Sequence, residues 1–116
     1  MKQIKEEFVE TQIDRLKQRE DVKAVAAVGS YARNPEGEHN DLDLYAVVED
    51  DWRKRVTEEV EGVVVEKFFN SMDWSKEYLE GEDWWRNCRW FTTADIRYDE
   101  DNFFNELEQE AQKTRK

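Results

Sequence analysis

Apolar and polar positions in this chain alternate with two periods, one helical and one of strands. Ile4, Phe8, Ile13 and Leu16 recur near helical spacing among charged residues, which predicts an amphipathic helix within residues 2–20. Residues 23–28 (Lys-Ala-Val-Ala-Ala-Val) read as a short, mostly buried strand ending at Gly29. Residues 30–34 start a helical turn, and Asn34-Pro35-Glu36-Gly37 is strong turn chemistry. A second strand covers 42–48. Asp50 or Asp51 is then expected to cap a helix running to about Val60. A third strand follows over 63–69, with Gly62 at its entry. Trp74, Tyr78, Trp85, Cys88 and Phe91 predict a helical stripe across 72–92, interrupted near Gly81. Residues 94–98 make a short strand. Asp99-Glu100-Asp101 precede Phe103, Phe104 and Leu107, the start of a final helix that is highly charged towards Lys116. Helices interleaved with strands indicate an α/β or α+β fold, a sheet covered on one side.

Length and composition narrow this picture. With 116 residues the chain is expected to be one domain with a single core. Apolar residues make up 38% and charged residues 41%, so that core must draw on the five Trp, six Phe and four Tyr. The formal charge of −11 argues against nonspecific binding to DNA or RNA, which needs a basic surface. Cys88 stands alone, so no intramolecular disulfide forms and a reducing compartment is expected. No apolar stretch approaches the ~20 residues of a membrane span, and the charged N-terminus is no signal peptide. The expected location is the cytoplasm.

Candidate chemistry gathers in three places. Val28-Gly29-Ser30-Tyr31-Ala32-Arg33 ends the first strand, Asn40-Asp41-Leu42-Asp43-Leu44 opens the second, and Glu66 lies inside the third. Side chains alternate across a strand, so Asp41 and Asp43 point to one face. Two ionised carboxylates held that close repel each other, and a divalent cation turns the repulsion into binding. Oxygen-only ligands favour Mg²⁺ or Mn²⁺. Glu66, beside Val65, is costly to bury unless it faces the same metal, and three carboxylates from two strands suit in-line displacement at phosphorus. Gly29 lets the backbone turn tightly and approach a ligand closely. Ser30, at the start of a helical turn, and Arg33, one turn further, can face phosphate. Taken singly, the Gly-Ser reads as an ordinary turn, the Asp-x-Asp as a capped loop, and Glu66 as a solvent-facing edge residue. Their combination carries the weight.

That combination resembles the nucleotidyltransferases of the DNA polymerase β superfamily. The shared pattern is an apolar residue, Gly-Ser, about ten residues, Asp-x-Asp and a third acid one strand later. The wider match, Gly-Ser-Tyr-Ala-Arg with Asp-Leu-Asp-Leu, is similar to the minimal nucleotidyltransferases and the aminoglycoside nucleotidyltransferase-like proteins. Ile96-Arg97-Tyr98-Asp99-Glu100-Asp101 looks like the family's last strand leading into its helix. The resemblance implies a small mixed β-sheet with helices packed mainly on one side. It implies that Asp41, Asp43 and Glu66 are catalytic and bind Mg²⁺ (or Mn²⁺), with Asp43 bridging to a second ion. Glu66 would complete the attacking-side metal site or help deprotonate the acceptor. Gly29, Ser30 and Arg33 would hold the phosphates of a nucleoside triphosphate, ATP by expectation, for transfer of AMP to a hydroxyl. Asn34 and Asn40 stand where many relatives have Gly and Ser, and Glu66 stands where Asp is commoner. The aminoglycoside-modifying relatives also carry a helical C-terminal domain, for which these residues leave no room. The acceptor site is therefore expected to be completed by a second subunit, as in a homodimer, by a helical partner protein, or by a longer chain of which this is the N-terminal part.

A different class of function competes with catalysis. Minimal relatives act as antitoxins bound to a helical toxin of the HEPN type, and a regulatory subunit of that kind needs little or no activity. A third reading, a metal-dependent nuclease, is opposed by the acidic surface and the Gly-Ser turn. His39 is expected in an exposed loop. Trp74, Trp84, Trp85 and Trp90 are expected in the core, with some at a subunit interface, and Arg86 and Arg89 on the surface.

Overall fold

The computed structural model describes residues 2–81 and 84–114. Its elements in chain order are β1 (Lys2–Gln3), α1 (Glu6–Lys17), β2 (Val22–Val28), α2 (Gly29–Arg33), β3 (Glu38–His39), β4 (Asp41–Val48), β5 (Arg53–Val60), β6 (Val63–Asn70), α3 (Met72–Glu80), α4 (Trp84–Thr92), β7 (Asp95–Asp99) and α5 (Phe103–Thr114). Five strands form one sheet in the order β5-β6-β4-β2-β7, while β1 and β3 pair as a separate ribbon. Among the described strands only β4 and β6 run parallel, and the other neighbours are antiparallel. The mixed sheet follows the expected class.

The period of two sorts the core into two faces. Leu42, Leu44 and Ala46 of β4 join Val25, Ala27, Val65 and Phe69 under Val9, Ile13 and Leu16 of α1. Tyr45 and Val47 face the other way, with Ala24, Ala26 and Val28, against Leu79, Cys88, Phe91, Phe104 and Leu107. Three of the longer helices, α3, α4 and α5, therefore share one face. The small side chains of β2 let those helices approach closely, and Tyr45 fills the space between them. Its hydroxyl lies 2.5 Å from Ser75 Oγ. Ser75 Oγ donates to the Ser71 carbonyl at 2.8 Å, so it accepts from Tyr45 and pins α3 to β4. Ser71 in turn caps α3, accepting from the Trp74 backbone N–H at 3.2 Å.

Two expectations are corrected. Residues 53–60 are a strand rather than the helix expected to end at Val60. Val56 and Val60 sit at helical spacing, but both belong to the α1-side core when the segment is extended. Glu61 (φ 51°) and Gly62 (φ 81°) make the tight two-residue turn that closes a β5–β6 hairpin. Pairing along the whole of β6 outweighs local preference. His39 is buried rather than exposed in a loop. Its Nε2–H donates to the Asn34 carbonyl at 2.7 Å and its ring meets Tyr31 edge-on, which holds the loop after α2 against the sheet. The aromatic stripe is mixed: Trp74 and Trp90 are half-buried, and Trp85 is 60% exposed. The side chains of Trp84 and Arg86 lie outside what is described, as do residues 115–116, to which the last helix is expected to run. Arg89 is exposed as expected. No helix among the described residues is long and apolar enough to cross a membrane.

Candidate active site

The three carboxylates come from the two parallel strands. Asp41 and Asp43 project from β4 on the side of Tyr45, and the β4–β6 register sets Asp43 directly beside Glu66. One oxygen from each of Asp41, Asp43 and Glu66 lies within 4.8 Å of the others. β4 pairs with β6 along both aspartates and with β2 as far as Asp43, so the backbone under them has little freedom to separate them.

Their environments differ sharply. Burial is the main reason that Asp43 is pushed up from 3.8 to about 7, followed by its hydrogen bond to Glu66 and the nearby charge of Asp41. Asp43 Oδ1 is buried and has no hydrogen-bond partner among the described residues. Glu66 is held below its ordinary value, first by its hydrogen bond to Arg55. Arg55 Nη2 donates to Glu66 Oε1 at 2.6 Å, and its guanidinium lies 5.1 Å from the centroid of the Phe68 ring. A proton shared between Asp43 and Glu66 therefore resides on Asp43. An unpartnered buried oxygen, an all-oxygen donor set and a carboxylate whose ionised form lacks a counter-charge all fit a hard divalent cation. The cluster is typical of metal-dependent nucleotidyltransferases.

The Gly29-Ser30 turn abuts this group. Gly29 has φ +75°, and a Cβ built there would lie 2.6 Å from Asp43 Oδ2. Glycine is required twice over, by the dihedral and by the space. Ser30 is exposed at the start of α2, and no side chain caps that helix from Val28. Tyr31 is buried and donates to Glu6 Oε2 at 3.2 Å, so α2 is anchored by one side chain while Ser30 faces outward. Gly29, Asp41, Asp43 and Glu66 are thus gathered at one point. Arg33 is exposed in the last turn of α2 and forms no ion pair with the triad.

Arg55 is the site residue that the helical reading of 51–60 conceals. The signal that could have found it is the Glu61-Gly62 turn, which predicts a hairpin and so places Arg55 on the same sheet as Glu66. Arg55→Ala is expected to raise the titration midpoint of Glu66, because the hydrogen bond and charge that favour its ionised form are removed. Carboxyl ¹³C NMR against pH measures this directly. An unchanged Glu66 midpoint would mean that the ion pair does not persist in solution.

A family model described as a nucleotidyltransferase domain matches residues 9–113. No curated protein sequence matches the chain. Among solved structures, a nucleotidyltransferase-like protein from Exiguobacterium sibiricum 255-15 superposes with a TM-score of 0.66 at 10% sequence identity. That match covers 90% of this chain and 37% of the other, so the chain spans little more than a third of its relative's length. At that identity the likeness is one of fold. The matched family model covers nearly the whole sequence and includes all three carboxylates, and the chain belongs to the nucleotidyltransferase domain family of enzymes, within the polymerase β superfamily.

Proposed function

We propose that this domain is a Mg²⁺-dependent nucleotidyltransferase that moves a nucleoside monophosphate, AMP from ATP, to a hydroxyl on a small molecule or a protein side chain. The single observation that carries this reading is the contact between the Gly29 turn and the Asp43 carboxylate, with Glu66 on Asp43's other side. Asp41, Asp43 and Glu66 would hold the cation. When bound, Mg²⁺ neutralises the three carboxylates and supplies binding positions for triphosphate oxygens. Ser30 Oγ and the backbone N–H groups opening α2 would donate to the β- and γ-phosphates, with Arg33 one turn away as a further counter-charge. Arg55 keeps Glu66 ionised, which suits a ligand better than a proton acceptor. In the transfer, the acceptor hydroxyl gives up its proton to solvent, its oxygen bonds to the α-phosphorus as the bridging P–O bond breaks, and pyrophosphate leaves with that electron pair.

Exposure of Trp85 on α4 favours a second, compatible reading, in which this surface binds a helical partner and the domain acts as its antitoxin-like or regulatory subunit.

Calorimetric titration with a nonhydrolysable ATP analogue, with and without Mg²⁺, tests the proposal. Binding is expected to depend on Mg²⁺ and to fall in Asp41→Asn/Asp43→Asn by more than the roughly 10–100-fold that even outer-shell partners of a metal contribute. Equal affinity with and without Mg²⁺, or undiminished binding in the double variant, would remove the metal site from the mechanism.

A further inference from the structure

On the β6 side of the triad the sheet opens into a cleft of about 280 Å³, lined by Arg53, Lys54, Arg55, Phe68, Asn70 and Tyr78. Three of these residues are cationic, and none of the described lining residues is acidic. On a chain with a net charge of −11 such a lining is a local departure from the acidic average. β5 presents Arg53 and Arg55 on one face, about 6.8 Å apart along the strand. Both guanidinium groups rest on aromatic rings, Arg53 on Trp74 at 4.4 Å and Arg55 on Phe68 at 5.1 Å. Contact with the rings limits how each group can turn, and a guanidinium resting on a ring can still donate from its N–H groups. Arg55 is partnered by Glu66, whereas Arg53 has no carboxylate partner among the described residues.

Phe68 and Tyr78 also line a second hollow, of about 140 Å³, whose walls include Tyr45, Trp90 and Phe91. Asn87 Nδ2 donates to the Tyr78 carbonyl at 3.0 Å and ties α4 to α3 around it. An apolar cavity of about 150 Å³ takes one benzene ring. Cationic rim and aromatic hollow adjoin, since Phe68 and Tyr78 line both, and together they offer room for a single ring and cations for an anionic group.

Its position relative to the phosphate turn gives it a role. β4 carries the aspartates, with β2 and the Gly29-Ser30 turn on one side and β6 with the cleft on the other. In-line displacement at phosphorus needs the leaving and attacking groups on opposite sides. A triphosphate held at the β2 side leaves the β6 side to the acceptor, where Glu66 marks the boundary between them.

We infer that this cleft is the acceptor subsite and that the acceptor is a small anionic molecule: its flat ring enters the hollow, its anion meets Arg53, and its hydroxyl reaches Glu66. The hydroxyl's role rests on the transferase reading above, while recognition of ring and anion rests on the cleft alone.

The test follows the indole N–H signals of Trp74 and Trp90 by ¹H–¹⁵N NMR of the full chain in EDTA. Phenyl phosphate is the probe, with inorganic phosphate and phenol as single-feature controls. Phenyl phosphate is expected to shift both signals saturably, and each control to bind at least about tenfold more weakly. Arg53→Ala is expected to weaken the probe about tenfold or more, the loss typical of a hydrogen bond to a charged group, and Arg53→Lys less. With Mg²⁺ and saturating ATP analogue, the probe's affinity should be unchanged. No saturable shift, equal affinity for inorganic phosphate, or equal affinity in Arg53→Ala would overturn the subsite. Displacement of the probe by the analogue would also overturn it, assigning the cleft to the donor nucleotide. An analogue that fails to bind at all, with the metal-free titration as expected, would overturn the transferase reading and leave the ring-and-anion cleft standing.

Discussion

Asp43→Asn is expected to make the metal-free protein more stable at neutral pH while abolishing its Mg²⁺-dependent binding of nucleotide. Asparagine keeps the shape of the side chain and removes the charge that burial, Glu66 and Asp41 all oppose. Folding raises the Asp43 carboxyl from 3.8 to about 7. Between those two values the native state holds a proton that the unfolded state has released, so stability falls as pH rises across this window. A shift of that size corresponds to a ceiling of about 4 kcal/mol. Partial solvent access and the proton shared with Glu66 reduce the expected gain to about 2 kcal/mol. For a domain of this size that is a rise in Tm of roughly 6–12 °C. Glu66 acts in the opposite sense. Its folded pKa is lowered, so its contribution is present above the ordinary glutamate range and is lost as pH falls through the lower folded value. Denaturant titrations of both proteins in EDTA at pH 5 and pH 7 separate the two effects. The wild type should weaken between pH 5 and pH 7, and the Asn variant should not. Equal stabilities at pH 7 would show that the aspartate charge is already neutralised without metal.

Gly29→Ala is expected to be among the most damaging single-methyl additions to this chain. The residue sits at φ +75°, where an L side chain costs roughly 1–2 kcal/mol. Its new Cβ would also lie 2.6 Å from Asp43 Oδ2, well inside contact distance. Asp43 cannot retreat, since its strand is held by neighbours on both sides. The strain therefore falls on the carboxylate, which must rotate away from Asp41 and Glu66. Destabilisation of about 2–4 kcal/mol is expected, with loss of Mg²⁺-dependent nucleotide binding in whatever fraction folds. Gly81→Ala is the control, because among the described residues a Cβ there meets only the Glu77 carbonyl oxygen, at 3.8 Å, and φ is negative. That change should stay within about 0.5 kcal/mol of the wild type. Thermal melts of the two variants would decide the matter, and similar melting points would mean that the turn does not touch the carboxylate.

Much of this arrangement is legible in the chain because its central strands are apolar runs that carry their polar exceptions in register. Alternation alone puts Asp41 and Asp43 on one face, and the apolar neighbours of Glu66 mark it as costly to bury without a counter-charge. What alternation cannot show is which residues of different strands meet. The pairing of Asp43 with Glu66 depends on a parallel register, and the closeness of Gly29 to Asp43 depends on how β2 turns into α2. Strand β5 is illegible for a different reason. Val56 and Val60 satisfy a helical period as well as an extended one, and apart from the Glu61-Gly62 turn only the partner strand distinguishes them. That ambiguity removes Arg55, and with it the whole cationic cleft, from a reading of residues in order. His39 misleads similarly: a polar residue in a turn-rich segment reads as exposed until Tyr31 is seen beside it.

The location of β5 at the rim of the sheet bears on how such a domain changes over generations. Its backbone has one neighbour instead of two, and the side chains at 53 and 54 are exposed, so replacing them disturbs little packing. The aspartates enjoy no such freedom in the middle of the sheet. Recognition and chemistry are thereby placed under separate selection, and a descendant could acquire a new acceptor by rewriting a few letters at the rim while inheriting its reaction centre unaltered.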